Sequence, residues 1–387
     1  MKIIVFFKNI IICILIIYYY CYIKLLKYIK TSKIDTINYK DKIINNDFFR
    51  ELIEPVLYYE KLKGKNIRNI IIKDLAQFIN IENRVVAPLI KFTEMMHNAA
   101  LVIDDIQDNS LMRRNNPCAH IKYGIPYSMA GAYSQVFRLL YEMSDENKYK
   151  VDEESSLFNF GWKEFEEYCK KVREQCEEYR NLGDNAIKLI KKNELLNITI
   201  ENLYKAHIGQ GMEVYWTFKK KIPSVEEYFV MVEYKTSIIF KNIIDAINVY
   251  SRMSREDLDR YQEIFKNFGI FFQIRDDYIN ITSPDFWKEK GFCEDFDEKK
   301  YSYIIISFWK TIGEKERGKF IELFHKNNLT IKEKIKLLKM INKTNILDKV
   351  YDELVEYKKE LEKYSFFSSV WDKLPFYKFD IENCYKL

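Results

Sequence analysis

The sequence predicts an all-α fold, one large helical bundle behind an N-terminal hydrophobic anchor helix, and three observations carry that expectation. Glycine (11) and proline (7) are scarce in 387 residues, and these are the residues that interrupt helices and build tight turns. Apolar residues recur at three- and four-residue spacing, as in Leu75, Phe78, Ile79, then Leu89, Phe92, Met95, Met96, then Phe268, Phe271, Phe272, which is the period of a helix with one buried face. No convincing alternating strand or hairpin turn is evident. Helices that each bury one stripe pack into a bundle.

In chain order, the first element is the apolar stretch Ile3 to Ile23, broken by Lys8 and Asn9. A bilayer span needs ~20 residues, so the stretch suffices if Lys8 snorkels. Tyr18, Tyr19, Tyr20 and Cys21 make a poor cleavage site for a signal peptide and suit an interfacial belt. We therefore assign residues 1–30 to a membrane anchor, the alternative being a hydrophobic helix packed on protein. Lys24, Lys27, Lys30 and Lys33 follow it, against Lys2 and Lys8 before it. The positive-inside rule then places the rest of the chain in the cytosol, with the endoplasmic reticulum as a candidate membrane.

Residues 31–50 are polar and read as a linker, and 51–387 as the helical domain, a size that buries one sizeable core. Within it, residues 144–192 form a charged insertion where Trp162, Phe165, Cys169, Val172, Cys176 and Tyr179 share one helix stripe. That stripe is short for a coiled coil and reads first as a helix lying on the domain's own surface, second as a partner-binding helix.

Composition excludes several function classes. Lys+Arg 62 against Asp+Glu 57 leaves +5, spread along the chain, so no nucleic-acid footprint is indicated. The seven cysteines, Cys13, Cys21, Cys118, Cys169, Cys176, Cys293 and Cys384, are odd in number and include no Cys-x-x-Cys pair. Neither a disulfide framework nor a zinc site follows, and a reducing compartment fits.

Two carboxylate-rich segments interrupt apolar helix-forming sequence, where unpaired acids are costly. The first is Asp104-Asp105-Ile-Gln-Asp108; Asp104 and Asp108 are one turn apart on one helix face. The second is Arg275-Asp276-Asp277-Tyr-Ile-Asn280, with Asp276 and Asn280 in the same relation. Hard oxygen ligands without a nearby His or Cys cluster suit magnesium and argue against zinc. Facing each other, the two segments could clamp a multi-ion cluster around a diphosphate. Taken singly, such an acidic run is as readily a solvated helix face. Cations to hold the anion are near in sequence: Lys65 and Arg68, Arg113 and Arg114, Lys235, Lys290 and Lys300.

These residues resemble the trans-prenyl diphosphate synthases, isoprenoid-synthase-fold enzymes, and most closely the eukaryotic geranylgeranyl branch. The likeness runs from about Leu52 to Phe308 around the 144–192 insertion. It rests on Glu94-Met-Met-His-Asn-Ala99, Asp105-Ile-Gln-Asp-Asn-Ser110, Gly209-Gln-Gly-Met-Glu-Val-Tyr-Trp216, Phe271-Phe-Gln-Ile-Arg-Asp-Asp-Tyr278 and Phe292-Cys-Glu-Asp295. By this resemblance Lys65, Arg68, His97 and Arg114 bind isopentenyl diphosphate, while Arg113, Lys235, Thr236, Gln273, Lys290 and Lys300 surround the allylic diphosphate (dimethylallyl, geranyl or farnesyl). Asp104, Asp108 and Asp276 match magnesium ligands, with Asp105 and Asp277 supporting them in the catalytic set. At least a homodimer is implied.

The resemblance also implies a chain-length gate at Ala99 and Ala100, where shorter-chain relatives often carry aromatic residues; small side chains favour a twenty-carbon product over a fifteen-carbon one. Four departures stand against the family pattern: Asn115, Ser237 and Lys299 replace glycines, and Ile304 replaces a proline. Alternatives are a farnesyl diphosphate synthase, a catalytically weak regulatory subunit, or a terpene cyclase. Retention of Lys65, Arg68 and His97 speaks against the cyclase, which has no second diphosphate to bind.

Overall fold

The computed structural model describes residues 46–62, 64–144 and 180–380. The chain divides into two compact units, Met1–Glu51 and Leu52–Leu387. The helices are α1 (Asn46–Leu52), α2 (Glu54–Lys61), α3 (Ile67–Ile79), α4 (Asn83–Asp108), α5 (Ala119–Tyr123), α6 (Ile125–Ser144), α7 (Arg180–Lys219) and α8 (Val225–Val232). They continue as α9 (Ile238–Ser251), α10 (Arg255–Thr282), α11 (Pro284–Lys290), α12 (Glu294–Asp297), α13 (Tyr303–Thr311), α14 (Glu314–Phe324), α15 (Ile331–Asn342) and α16 (Ile346–Leu361). A 3-10 stretch, Ser365–Lys373, follows and packs on α3. The all-α expectation for the domain therefore stands.

Two apolar clusters organise the larger unit. One surrounds α10, whose Phe265, Phe268, Phe271, Ile274 and Tyr278 are fully buried. The other brings Val56, Ala99, Val102 and Ile103 together with Ala119, Ala132 and Val136, joining α2, α4, α5 and α6. Each acidic motif thus lies near the C-terminal end of a long helix, α4 or α10, anchored in its own cluster. Both helices reach the same segment, Glu233–Ser237, which bridges α8 and α9 as one π-helical turn: α10 packs on it, and Asp104 of α4 lies 3.5 Å from its Lys235. Such turns recur at functional sites because they reset which side chains project.

Glycine makes this convergence possible. A Cβ on Gly209 of α7 would lie 2.4 Å from the Lys235 backbone nitrogen, and one on Gly269 of α10 would lie 2.3 Å from Ser237 Cα. The π turn is gripped by backbone on both sides. Gly269→Ala is expected to cost at least ~2 kcal/mol, the scale of an overpacked core, measured by urea denaturation. Adding Ser237→Gly should not restore it, because the clashing atom is Cα.

Several expectations change here. The end of the predicted linker, from Asn46, is already helical. A short antiparallel ribbon, Met112–Arg113 (β1) with Asn116–Pro117 (β2), occurs where no hairpin was expected. It escaped the sequence pattern because each strand is two residues long. The C-terminal part of the predicted 144–192 insertion, from Arg180, belongs to α7, a core-packed helix of 40 residues. The Trp162–Tyr179 stripe and the 3–23 anchor lie outside the described residues. Among the described residues no helix is long and apolar enough to cross a membrane.

Candidate active site

Helix α4 stops directly after the first motif because Asn109 adopts the left-handed conformation (φ 55) and caps it with its backbone N–H. Asp104 and Asp108 therefore sit at the negative end of a helix, where a carboxylate is disfavoured unless cations offset it. The cations are present. Asp104 lies 3.5 Å from Lys235 and 3.6 Å from Arg113. Burial works to raise its pKa, but Lys235, then Arg113, Lys290 and Lys300, hold it below the usual carboxylate range.

Asp108 has the opposite balance. Burial and then Asp104 push its pKa well above the ordinary value, with Glu298 and Glu213 adding to the effect and only Lys235 countering it. Asp108, Glu213, Glu298 and Lys300 line a cleft of about 240 Å³ with Gln107, Asn109, Val214, Thr217 and Phe218. Glu213 bonds Lys235 and stands 3.8 Å from Lys300; Glu298 accepts from Ser110 Oγ at 2.8 Å. Sequence reasoning assigned neither glutamate a role. The signal for Glu213 was an acid placed within the family-like stretch Gly209–Trp216.

The second aspartate of each pair does different work. Asp105 is fully buried and takes both Nε and Nη2 of Arg113. Asp277, also buried, accepts from Gln273 Nε2 (2.9 Å) and the Tyr303 backbone N–H (2.8 Å), 3.4 Å from Lys300. Neither carboxylate opens on the cleft, so both are anchors for cations rather than ligands. Thr236 and Gln273, expected around the allylic diphosphate, bond each other at 2.5 Å and lead into Asp277. Through Asp277 they connect to Lys300.

In the second motif, Asp276 is the accessible acid, 38% exposed. Asn280 corrects the expectation of an oxygen pair one turn apart. Its side chain is buried, and its Oδ1 accepts from the Asp295 backbone N–H at 3.2 Å. Lys290 acts electrostatically on Asp104 and on Asp276, linking the two motifs.

A second positive cluster forms beside the first motif. Arg114 and Asn115, both left-handed (φ 53 and 61), make the turn between β1 and β2. Two consecutive left-handed residues suit a hairpin, and Asn tolerates the conformation far better than Arg. Arg114 is held there by donating Nη1 to the Leu62 (2.7 Å) and Tyr59 (3.2 Å) carbonyls, with its guanidinium in the space where Gly64 has no side chain. Burial, then Arg114, pulls down the Arg68 pKa. Burial, then Arg68 and Arg114, drives His97 well below its ordinary value, so its imidazole is neutral. Arg68, Arg114 and His97 thus lie together, a set of donors with excess positive charge. Lys65 belongs to the second motif's surroundings as well, through Asp276 and Arg275.

Magnesium suits this donor set. Among the described residues no three His, Cys, Asp or Glu groups cage an ion by themselves, and magnesium is held typically by one or two carboxylates plus substrate phosphates. Asp104 and Asp108, with Asp276 linked to them through Lys290, fit that role. The like-charge crowding at Asp108 is what a divalent cation relieves.

The four departures are accommodated unequally. Ser237 packs against Gly269 and donates Oγ to the Lys266 carbonyl at 3.0 Å. Ile304 is fully buried within α13. Lys299 is left-handed (φ 57), its Nζ donating to the Lys326 carbonyl at 2.6 Å. A non-glycine residue pays roughly 1–2 kcal/mol for that conformation, while glycine's freedom in the unfolded chain offsets 0.5–1. Lys299→Gly is therefore expected to stabilise by up to about 1 kcal/mol in chemical denaturation, and Asn115→Gly to change little.

Residues 49–341 match the family model described as polyprenyl synthetase. A geranylgeranyl pyrophosphate synthase of Dictyostelium discoideum is 30% identical over 270 residues, 70% of this chain and 73% of that protein. Geranylgeranyl pyrophosphate synthase AN1592 of Hericium erinaceus is 30% identical over 266 residues, 66% and 69% of the two chains. Among solved structures, geranylgeranyl pyrophosphate synthetase from Pyrococcus horikoshii superposes with a TM-score of 0.59 at 19% identity, covering 88% of this chain and 91% of its own. That last likeness is one of fold.

Proposed function

The chain belongs to the polyprenyl synthetase family and is a prenyltransferase, and from that premise we propose that it joins isopentenyl diphosphate to an allylic diphosphate to make geranylgeranyl diphosphate. The observation that carries this reading is the pairing of two cationic sets, Lys235/Arg113/Lys300/Lys290 at the acidic motifs and Arg68/Arg114, with neutral His97, beside them. Two diphosphates need two such sets.

In this mechanism Lys235, Arg113, Lys290 and Lys300 take up charge as the allylic carbon–oxygen bond breaks and pyrophosphate departs. Asp104, Asp108 and Asp276 would hold magnesium, which would supply further neutralisation of that developing charge. Arg68, Arg114 and His97, with Lys65, hold isopentenyl diphosphate so that its double bond faces the allylic cation. Loss of a proton, accepted by pyrophosphate, completes the longer diphosphate. Neutral His97 serves as a hydrogen-bond donor rather than a charge.

The proposal extends to a chain held to a membrane by residues 3–23 with its catalytic unit in the cytosol, the endoplasmic reticulum being our candidate. A homodimer is supported by exposed Tyr133 and Phe137 on α6 and Ile200, Tyr204 and Ile208 on α7.

The full chain in detergent, incubated with magnesium, radiolabelled isopentenyl diphosphate and each of dimethylallyl, geranyl and farnesyl diphosphate, tests the reading once products are dephosphorylated and resolved by length. A twenty-carbon alcohol is expected. A fifteen-carbon end product would make it a farnesyl synthase. Hydrocarbon from the allylic substrate alone would make it a cyclase, and no incorporation by folded protein would point to a regulatory subunit.

A further inference from the structure

The two buried aspartates share one more partner type. Tyr59 of α2 donates its hydroxyl to Asp105 Oδ2, and Tyr228 of α8 donates its hydroxyl to Asp277 Oδ2 at 2.7 Å. All four side chains are at most 1% exposed. Each tyrosine precedes its aspartate by a similar stretch, 46 and 49 residues, and each sits on a short helix ahead of a basic residue of the site, Lys65 or Lys235. Each aspartate in turn holds a cation expected at the allylic diphosphate, Arg113 or Lys300. Each acidic motif thus carries an equivalent Tyr–Asp–cation chain, and Lys300, the cation of the second, lines the cleft.

We propose that Tyr59 and Tyr228 are positioning residues that keep Arg113 and Lys300 aimed at the allylic diphosphate by locking the carboxylates those cations lean on; this rests on the elongation reading above. The physical reason is a difference in stiffness. A buried phenol ring has no freedom to follow its partner, whereas a long Arg or Lys side chain has much. At Asp105 the tyrosine is itself fixed, because its oxygen accepts the Ala119 backbone N–H at 3.0 Å at the start of α5. Remove the hydroxyl, and the carboxylate turns toward the cation, drawing it back from the cleft. Burial, then the neighbouring carboxylate, holds each phenol protonated far above neutral pH, so both remain donors.

The test is steady-state kinetics of Tyr59→Phe and Tyr228→Phe in the full chain, varying farnesyl diphosphate and isopentenyl diphosphate separately and following melting by circular dichroism. Each variant is expected to lose about tenfold in kcat/KM for the allylic substrate, the scale of one hydrogen bond to a charged group, while the isopentenyl KM stays within about twofold. Each decides for its own motif, so failure of one to fold leaves the other decisive. Wild-type constants in the folded variants, or a parallel rise in both KM values that tracks lost thermal stability, would overturn the inference. An inactive wild type would sink the elongation reading and this inference with it, whereas an active wild type with unaltered variants sinks only the inference.

Discussion

Asp104→Ala is expected to lower incorporation of isopentenyl diphosphate by about 10²–10³, the loss seen when one preorganised electrostatic group is taken from a reacting centre. Asp104 is the acid on which Lys235 and Arg113 converge, and these cations keep it ionised despite its burial. Removing it leaves Lys235 paired with Glu213 alone, which is expected to draw the lysine toward that glutamate. The fold should survive, because Asp104 is not part of either apolar cluster. Asp105→Ala should behave differently. It strips the part-buried Arg113 guanidinium of its nearest carboxylate, and the loss is expected to cost about 3 kcal/mol, the low end for breaking a buried pair. Single-turnover incorporation and urea denaturation on both variants separate the effects. An Asp104→Ala enzyme that kept more than about a tenth of its rate would remove Asp104 from the mechanism.

Ala100→Phe is expected to shift the product from twenty carbons to fifteen, and Ala99→Phe is expected to leave product length alone and destabilise the protein. Ala100 stands one helical turn before Asp104, on its face, and is exposed. A ring there reaches beneath the reacting end of the substrate. Ala99 is fully buried with Val56, Tyr59, Val102, Ile103, Ala119, Ala132 and Val136, and adding a phenyl group to so closed a cluster costs about 1–3 kcal/mol. Of the two gate positions expected from the sequence, Ala100 is the exposed one and Ala99 the buried one. Chain-length analysis of dephosphorylated product, with melting curves on the same samples, checks both halves. Twenty-carbon product from Ala100→Phe would move the floor of the cavity elsewhere.

The acidic motifs were legible because their chemistry is local. Carboxylates one turn apart inside apolar sequence are costly without ligands, and that cost can be read from residue type and spacing alone. The pairing of Arg113 with Arg114, and the presence of Lys65, Arg68 and Lys235, were legible for the same reason. Glu298 was not, because only the fold carries the loop before α13 to Ser110 at the end of α4.

By itself the sequence determined the helical class of the domain, the positions of the two acidic motifs and which side chains carry charge, since these follow from the period of a helix and the price of burying an ion. Only the tertiary structure decided which members of the motifs stay accessible. Asp108 lines the cleft, Asp104 is part-exposed beside Lys235 and Asp276 is accessible, while Asp105, Asp277 and Asn280 are turned into protein. Likewise it decided that Arg114 occupies a left-handed turn and that Gly209 and Gly269 clamp the π turn carrying Lys235. The reason is that helical spacing tells which residues share a face, whereas which face is covered depends on neighbours brought from far along the chain.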